Sequence, residues 1–295
     1  MHNGLKYKEI PCPVCQSQEK KILYSDTLGE RSAKFDYNFS PEHCRTYRMV
    51  QCTNCTHVYS SPLPVRLWEN YVSVVDHVYL ENQATRYATA EKVLARIRRF
   101  CPQGRLLDIG CATGDFLYSA GKYYQVEGLE VSSWSAKLTR DRGIVVHEDL
   151  LSTLKGEGIY DVITLWGVIE HFENPQTEIK NIARLLKPGG IVCFWTPDVS
   201  SIPARLLGKK WWNVLGQHIQ LFSKASLCRL LNSQGLKTEW VGLHPYVMSV
   251  DTILNSFRRY PLVGKVVKVI ARAFPSDLKV TVIIPGEMFA IFRKS

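Results

Sequence analysis

Two cysteine pairs and one glycine-rich loop carry most of the chemistry that residue type and spacing can encode here. Cys12-Pro-Val-Cys15 and Cys52-Thr-Asn-Cys55 each set two thiols on a tight turn, with 36 residues between the inner members. Two such turns supply four thiolates at the corners of a tetrahedron, the ligand set of a closed, structural zinc site with no coordination position left for catalysis. His43 and Cys44 lie between the pairs, either as substitute ligands or as ordinary loop residues. The loop Asp108-Ile109-Gly110-Cys111-Ala112-Thr113-Gly114 places glycines where backbone has to approach a ligand closely. Its DxGxxxG spacing differs from the GxGxxG fingerprint of pyrophosphate-binding loops. Glu130, Glu148-Asp149 and Leu165-Trp166-Gly167 follow at intervals that place each at the end of a strand.

The elements around these residues alternate. RLLDIG, YQVEGLEVS, IVVHED, YDVITLWG and IVCFWTP read as five strands, and helical segments such as GDFLYSAGKYY, WSAKLTRDRG and PQTEIKNIARLLKPGG separate them. Strands spaced by helices predict an α/β fold, a Rossmann-like parallel sheet with helices on both faces and a ligand site beyond the strand C-termini. Before it, KKILYSD and TYRMVQC read as strands of a small N-terminal zinc ribbon. The predicted organisation is a ribbon over 1–62, a helical lead-in over 63–100, the core over 101–243, an amphipathic helical insertion over 244–286 and a final strand over 287–295. A ribbon of this size buries little core, so the metal supplies much of its stability.

Charged residues make up 22% and hydrophobic residues 45% of the 295, which excludes disordered and fibrous classes. The formal charge of +10 lies wholly in the last third, where Arg205 to Ser295 holds 14 basic and 4 acidic residues. Such a surplus suits an anionic substrate, membrane surface or nucleic acid. No apolar run reaches the roughly 18 to 20 residues of a membrane span, and MHNGLKYKEI has no signal-peptide core. The expected location is cytoplasmic, where cysteines serve as thiols and metal ligands.

Taken together, LLDIGCATGDFL, GLEVS, HEDL, DVITLWGVIEHFENP and LLKPGGIVCFWTPD resemble the motif series of class I S-adenosylmethionine-dependent methyltransferases. The ribbon, with Val58-Tyr59-Ser60-Ser61-Pro62 and later Tyr71 and Tyr79, is similar to that of zinc-containing nucleotide-sugar C-methyltransferases and polysaccharide-cluster methyltransferases. The resemblance implies S-adenosylmethionine as cofactor and Zn2+ as a structural ion held by Cys12, Cys15, Cys52 and Cys55. It puts Asp108, Gly110 and Gly114 at the methionine end, Glu130 at the ribose and Asp149 at the adenine amine. Cys111, Ala112, Val131, Leu150 and Gly167 stand beside them, and Trp166 is either an adenine-packing wall or a core residue.

On the acceptor side, methyl transfer from a sulfonium is a direct displacement in which the protein aligns the reactants and removes a proton. The segment Trp211 to Ser223 resembles the family's loop after the fifth strand, which makes His218 the candidate base; a helix-capping role is the other reading. In sugar C-methyltransferases a Glu precedes this His, whereas here Gln217 does. His171 and Tyr79 complete the expected catalytic set. The expected substrate is a small or lipid-linked molecule, a sugar, polysaccharide or natural-product intermediate. An RNA substrate is disfavoured because the ribbon half is charge-neutral, and a non-catalytic scaffold has no need of the full acidic and glycine set. Val263, Val266, Val267, Ile270 and Phe274 repeat at helical spacing opposite Lys265, Lys268 and Arg272, so residues 258–274 form either a cover for the core or a basic helix resting on a membrane.

Overall fold

The β-branched and aromatic runs of the first 64 residues form five short strands: β1 (Tyr7–Lys8), β2 (Lys20–Tyr24), β3 (Met49–Cys52), β4 (Val58–Ser60) and β5 (Leu63–Pro64). β2, β3 and β4 make an antiparallel sheet, and β1 pairs with β5. The computed structural model describes residues 6–29, 33–35, 45–256, 265, 267, 269, 271, 274–276 and 278–295.

The helical lead-in expected over residues 63–100 is three pieces, α1 (Glu69–Val72), α2 (His77–Glu81) and α3 (Gln83–Ile97). Asp76 interrupts the run because its side chain accepts the Tyr79 N–H and starts α2 afresh. Alternating elements follow: β6 (Gly104–Ile109), α4 (Asp115–Ala120), β7 (Tyr124–Leu129), α5 (Ser133–Arg140), β8 (Val145–His147), β9 (Tyr160–Trp166), α6 (Pro175–Leu185) and β10 (Leu186–Pro197). After β10 come α7 (Ile202–Leu207), β11 (Gln220–Leu221), α8 (Lys224–Asn232), β12 (Leu236–Ser249), α9 (Val250–Ser256) and β13 (Lys279–Lys294).

The main sheet has the order β12-β13-β10-β9-β6-β7-β8. Its five strands from β10 to β8 are parallel, as the alternation predicts, while β13 runs antiparallel between β10 and β12. The order reverses at β6, so a crevice opens beyond its C-terminal end, between the loops after β6 and β9. Leu106, Leu107, Val162, Ile163, Val192 and Phe194 are fully buried in the sheet's two faces.

Three boundaries differ from expectation, the first because β5 (63–64), beyond the predicted ribbon edge at 62, pairs with β1. β12 runs on past residue 243 and β13 starts at 279, so the predicted edges at 243/244 and 286/287 fall inside strands. The two strands stay paired from Pro245 opposite Ile283 to Ser249 opposite Lys279. The run Lys279-Val-Thr-Val-Ile-Ile284 is β-branched, and that preference outweighs a helical reading. Of the expected amphipathic helix, Val263, Val266, Lys268, Ile270 and Arg272 lie outside the described residues, and Phe274 is exposed. No helix among the described residues is long and apolar enough to cross a membrane.

The ribbon is not a separate bead. β11 pairs antiparallel with β4, making it the fourth strand of the ribbon sheet. One apolar cluster runs without a break from Cys12, Val14, Val50 and Tyr59 into Leu107, Ile163, Leu165 and Phe222.

Candidate functional site

Both CxxC turns have the same geometry. Gln16 N–H closes on the Cys12 carbonyl at 2.8 Å and Thr56 N–H on that of Cys52 at 3.0 Å, and both closing residues, Gln16 and Thr56, are left-handed at φ 61°. The turns face each other so that Cys12 Sγ is 3.5 Å from Cys55 Sγ and Cys15 Sγ 3.6 Å from Cys52 Sγ. All four sulfurs lie within 4.8 Å of one another. A tetrahedral ion with bonds of ~2.3 Å needs sulfurs ~3.8 Å apart, so the four thiols fit zinc. Backbone N–H groups of Val14, Ser17 and His57 point at the sulfurs of Cys12, Cys15 and Cys55, as thiolate charge requires. His43 and Cys44 fall outside the described residues.

The glycine loop turns β6 into α4 at the sheet's reversal point. Gly110 (φ 69°) and Gly114 (φ 74°) are left-handed, and a Cβ on either would meet Val168 or Thr139 at 2.6 Å. Only glycine fits the backbone at these two positions. Glu130, 4% exposed at the end of β7, accepts the Ala112 N–H and the Ser132 N–H at 2.8 Å each. Its carboxylate thus braces the loop and caps the approach to α5. Asp108 is buried under the loop, where its Oδ1 accepts the Thr164 hydroxyl at 2.6 Å. Burial pushes its carboxyl up to about 8, against the Thr164 bond, and the charge of Glu130 adds to the rise. Cys111 is also buried, its sulfur occupying the space a Cβ on Gly128 would need.

Above this loop sits a cationic group that the sequence patterns do not single out. Arg86 of α3 donates from Nε to Asp115 Oδ2 at 2.6 Å and lays its guanidinium 3.7 Å over the Tyr79 ring. Gln83 and Arg142 hold the other oxygen of Asp115 at 3.0 and 2.8 Å. Arg86 Nη2 is buried with no hydrogen-bond partner among the described residues. An orphaned guanidinium nitrogen costs free energy unless an acceptor arrives, and a ligand carboxylate is the acceptor it suits best. Tyr79 is brought to the same place. Burial, with Asp115, Asp108 and Glu130 nearby, pushes its phenol up to about 12 despite Arg86.

The remaining expected cofactor residues divide. Val131, Asp149 and Leu150 lie at the ends of β7 and β8, with Asp149 exposed and accepting the Leu150 N–H at 2.9 Å. Gly167 bonds to the Trp195 carbonyl at 2.9 Å, and a Cβ there would strike the Trp195 ring. Trp166 takes the core reading rather than the adenine one. Its ring packs on Phe116 (4.9 Å), Phe289 (5.7 Å) and His244 (6.1 Å), and β9 stands three strands from β8. At ~4.8 Å per strand that is about 14 Å from the Asp149 segment.

On the acceptor side the two predicted histidines meet. Their rings lie 5.0 Å apart, His171 after β9 and His218 just before β11. His171 Nδ1 bonds to the Gln217 carbonyl at 2.8 Å and His218 Nδ1 to the Asn213 carbonyl at 2.9 Å. The Asn213 carbonyl makes Nδ1 of His218 the N–H donor and Nε2 its basic nitrogen, while His171 faces the carbonyls of both Gln217 and Gly167. Burial pushes His171 down to about 4, so the ring is neutral. The Tyr71 hydroxyl donates to Gln217 Oε1 at 3.2 Å, so Gln217 orients both Tyr71 and His171. Beneath them are two buried carboxylates absent from the expected set. Glu170 accepts the Thr196 hydroxyl at 3.0 Å and is pushed up to about 8 by burial. Glu287, whose carboxyl burial also raises, accepts from Trp195 Nε1 at 3.0 Å and from the Tyr246 hydroxyl. The Glu-His adjacency in IEHF and the lone Glu before the apolar run MFAIF were the available signals for these two.

The family model described as a methyltransferase domain matches residues 79–239, more than half of the 295-residue chain. A ubiquinone biosynthesis O-methyltransferase of Thiobacillus denitrificans is 30% identical over 153 residues, 46% of this chain and 65% of that protein. The chain therefore spans just under two thirds of that relative's length. Among solved structures, a SAM-dependent methyltransferase of Thermotoga maritima shares the fold at TM-score 0.50 and 20% identity, covering 74% of this chain and 94% of that one. A chain from the complex of a Haloferax volcanii methyltransferase activator with its methyltransferase does so at TM-score 0.54 and 15% identity, over 74% and 94%.

Proposed function

Because the chain belongs to the methyltransferase domain family, we propose that it transfers a methyl group from S-adenosylmethionine to a hydroxyl of a small or carrier-linked acceptor. The observation that carries this reading is the orphaned Arg86 Nη2 over a loop that only glycines can form, with Glu130 at the neighbouring strand end. Arg86 takes the cofactor's carboxylate, Gly110 to Gly114 line its methionine end, and Glu130, Val131, Asp149 and Leu150 face its ribose and adenine. The bound cofactor supplies an electrophilic methyl group on a sulfonium.

This chain's own residues do the rest. His218 Nε2 accepts the acceptor's proton while the Asn213 carbonyl holds the ring, and His171 and Tyr71, oriented by Gln217, position the hydroxyl. Oxygen as the methyl acceptor is supported by the O-methyltransferase named among the relatives, and by Gln217 standing where a carboxylate would assist carbon chemistry. The resemblance of the ribbon to those of sugar methyltransferases supports a sugar or polysaccharide intermediate as substrate. Zinc on Cys12, Cys15, Cys52 and Cys55 has a structural role.

The deciding experiment is calorimetric titration of S-adenosylmethionine into the zinc-replete protein, with Glu130→Ala and Asp108→Ala alongside. Binding in the wild type and its loss by more than about tenfold in both variants is expected, one buried hydrogen-bonding carboxyl group being worth that much. No heat from folded wild-type protein would sink the enzyme reading.

A further inference from the structure

The short helix α7 turns its apolar side chains the wrong way for a core helix. Ala204 packs inward on Met49, Val58, Trp211, Val214 and Leu221. That contact sends the opposite face into water, where Ile202 is 73% and Leu206 81% exposed. The two stand one helical turn apart and so lie side by side. A cleft of about 330 Å³ has Ile202 and Pro203 on one wall and Leu243 of β12 and Pro285 of β13 on another, with Lys224 at its edge. Leu243 is itself 54% exposed. Asp198 and the buried Glu287 also line the cleft.

Charge identifies the occupant of this surface. Arg205, Lys209 and Lys210 are exposed within and just after α7. From Val199 to Thr238 the sequence has no Asp or Glu but carries Arg205, Lys209, Lys210, Lys224, Arg229 and Lys237. Large apolar side chains held in water and interleaved with cations fit an interface of headgroup phosphates above acyl chains.

We propose that α7 and the β12–β13 rim form a face that rests on an anionic phospholipid membrane. Ile202, Leu206 and Leu243 enter the acyl boundary, and Arg205, Lys209 and Lys210 meet the phosphates. The surface differs from residues 258–274, and it stands whether or not methyl transfer is the reaction.

Co-sedimentation of the full zinc-replete chain with vesicles tests it, comparing phosphatidylcholine alone with phosphatidylcholine containing phosphatidylglycerol. Binding is expected only to the anionic vesicles and weakens with salt. Ile202→Glu/Leu206→Glu and Lys209→Glu/Lys210→Glu each lower the partition coefficient by more than about tenfold. All four positions are exposed, and an unchanged melting temperature shows that the variants fold. Equal binding to neutral vesicles, no binding, or wild-type binding by both variants overturns the proposal. So does a dimer that Ile202→Glu/Leu206→Glu converts to monomer without changing vesicle binding, since the face would then join two copies of this chain.

Discussion

Under the proposed function Arg86 and His218 do different jobs, one toward the cofactor and one toward the acceptor, and single substitutions separate them. Arg86→Ala removes the group suited to a carboxylate and should weaken S-adenosylmethionine by about ten- to a hundredfold, the worth of a charge-assisted hydrogen bond. His218→Ala should leave cofactor affinity within about threefold but cut turnover by about a hundredfold or more, as loss of a general base does. Titration calorimetry and steady-state kinetics on the same two variants read this contrast; equal losses of both quantities in His218→Ala would make that residue structural. The cysteine pairs and the glycine loop were legible in the sequence because a turn writes its requirements into adjacent residues. Arg86 was not, since its partner Asp115 lies 29 residues away and only the packing of α3 on α4 joins them. Glu170 and Glu287 were missed for a related reason: burial, invisible in a single sequence, is what makes each carboxylate unusual. Trp166 shows the converse, since a strand-end tryptophan fits a ligand wall or a core equally well until its neighbours are known.

At the level of elements, the parallel strands and their helices followed from apolar runs and glycine stops. Two elements that bear on the site escaped. β11 is two residues long, too short for any periodicity, and the outer half of the β12–β13 hairpin lay within a stretch read as helical. β11 matters most, because it ties the ribbon to the loop that carries His218. Ser60 N–H bonds to the Ile219 carbonyl at 2.8 Å, and His57 Nε2 lies 2.9 Å from Gln220 Oε1. Gln220 in turn donates to the Phe172 carbonyl at 3.1 Å, next to His171. Stripping zinc with a chelator, or Cys52→Ala, should therefore cost turnover as well as ribbon stability. S-adenosylmethionine binding should persist, since among the described residues no hydrogen bond joins the glycine loop to the ribbon. Metal content, calorimetric titration and turnover measured on one preparation test this, and full activity in metal-free protein would show that the histidines need no such support.

For the molecule as a whole, buried ionisable groups set a pH optimum of stability. His171 and His244 are neutral in the fold, pushed by burial down to about 4 and about 3. The unfolded chain takes up their protons first, so their contribution is complete above about 6.5 and is lost as pH falls. Asp108 and Glu170 are shifted the other way, to about 8. The fold keeps protons that the unfolded chain has released, so raising the pH from 6.5 to 8 destabilises it, by about 1.4 kcal/mol per pH unit for each group. From about pH 4.5 to 6.5 the two histidines and the two carboxyls cancel, so cofactor-free protein should hold a plateau of stability there and lose it from pH 6.5 to 8, and Asp108→Asn should remove about half of the alkaline slope; urea denaturation at pH 6.5 and 8 measures both. The β4–β11 ladder has a further consequence during synthesis. Tyr59 leaves the ribosome 161 residues before its partner Gln220, a delay of roughly 8 to 30 s at ordinary elongation rates. For that interval the nascent ribbon presents a bare strand edge, open to pairing with any other chain nearby. A pause or truncation before residue 220 would then turn a docking edge into a nucleus for misassembly.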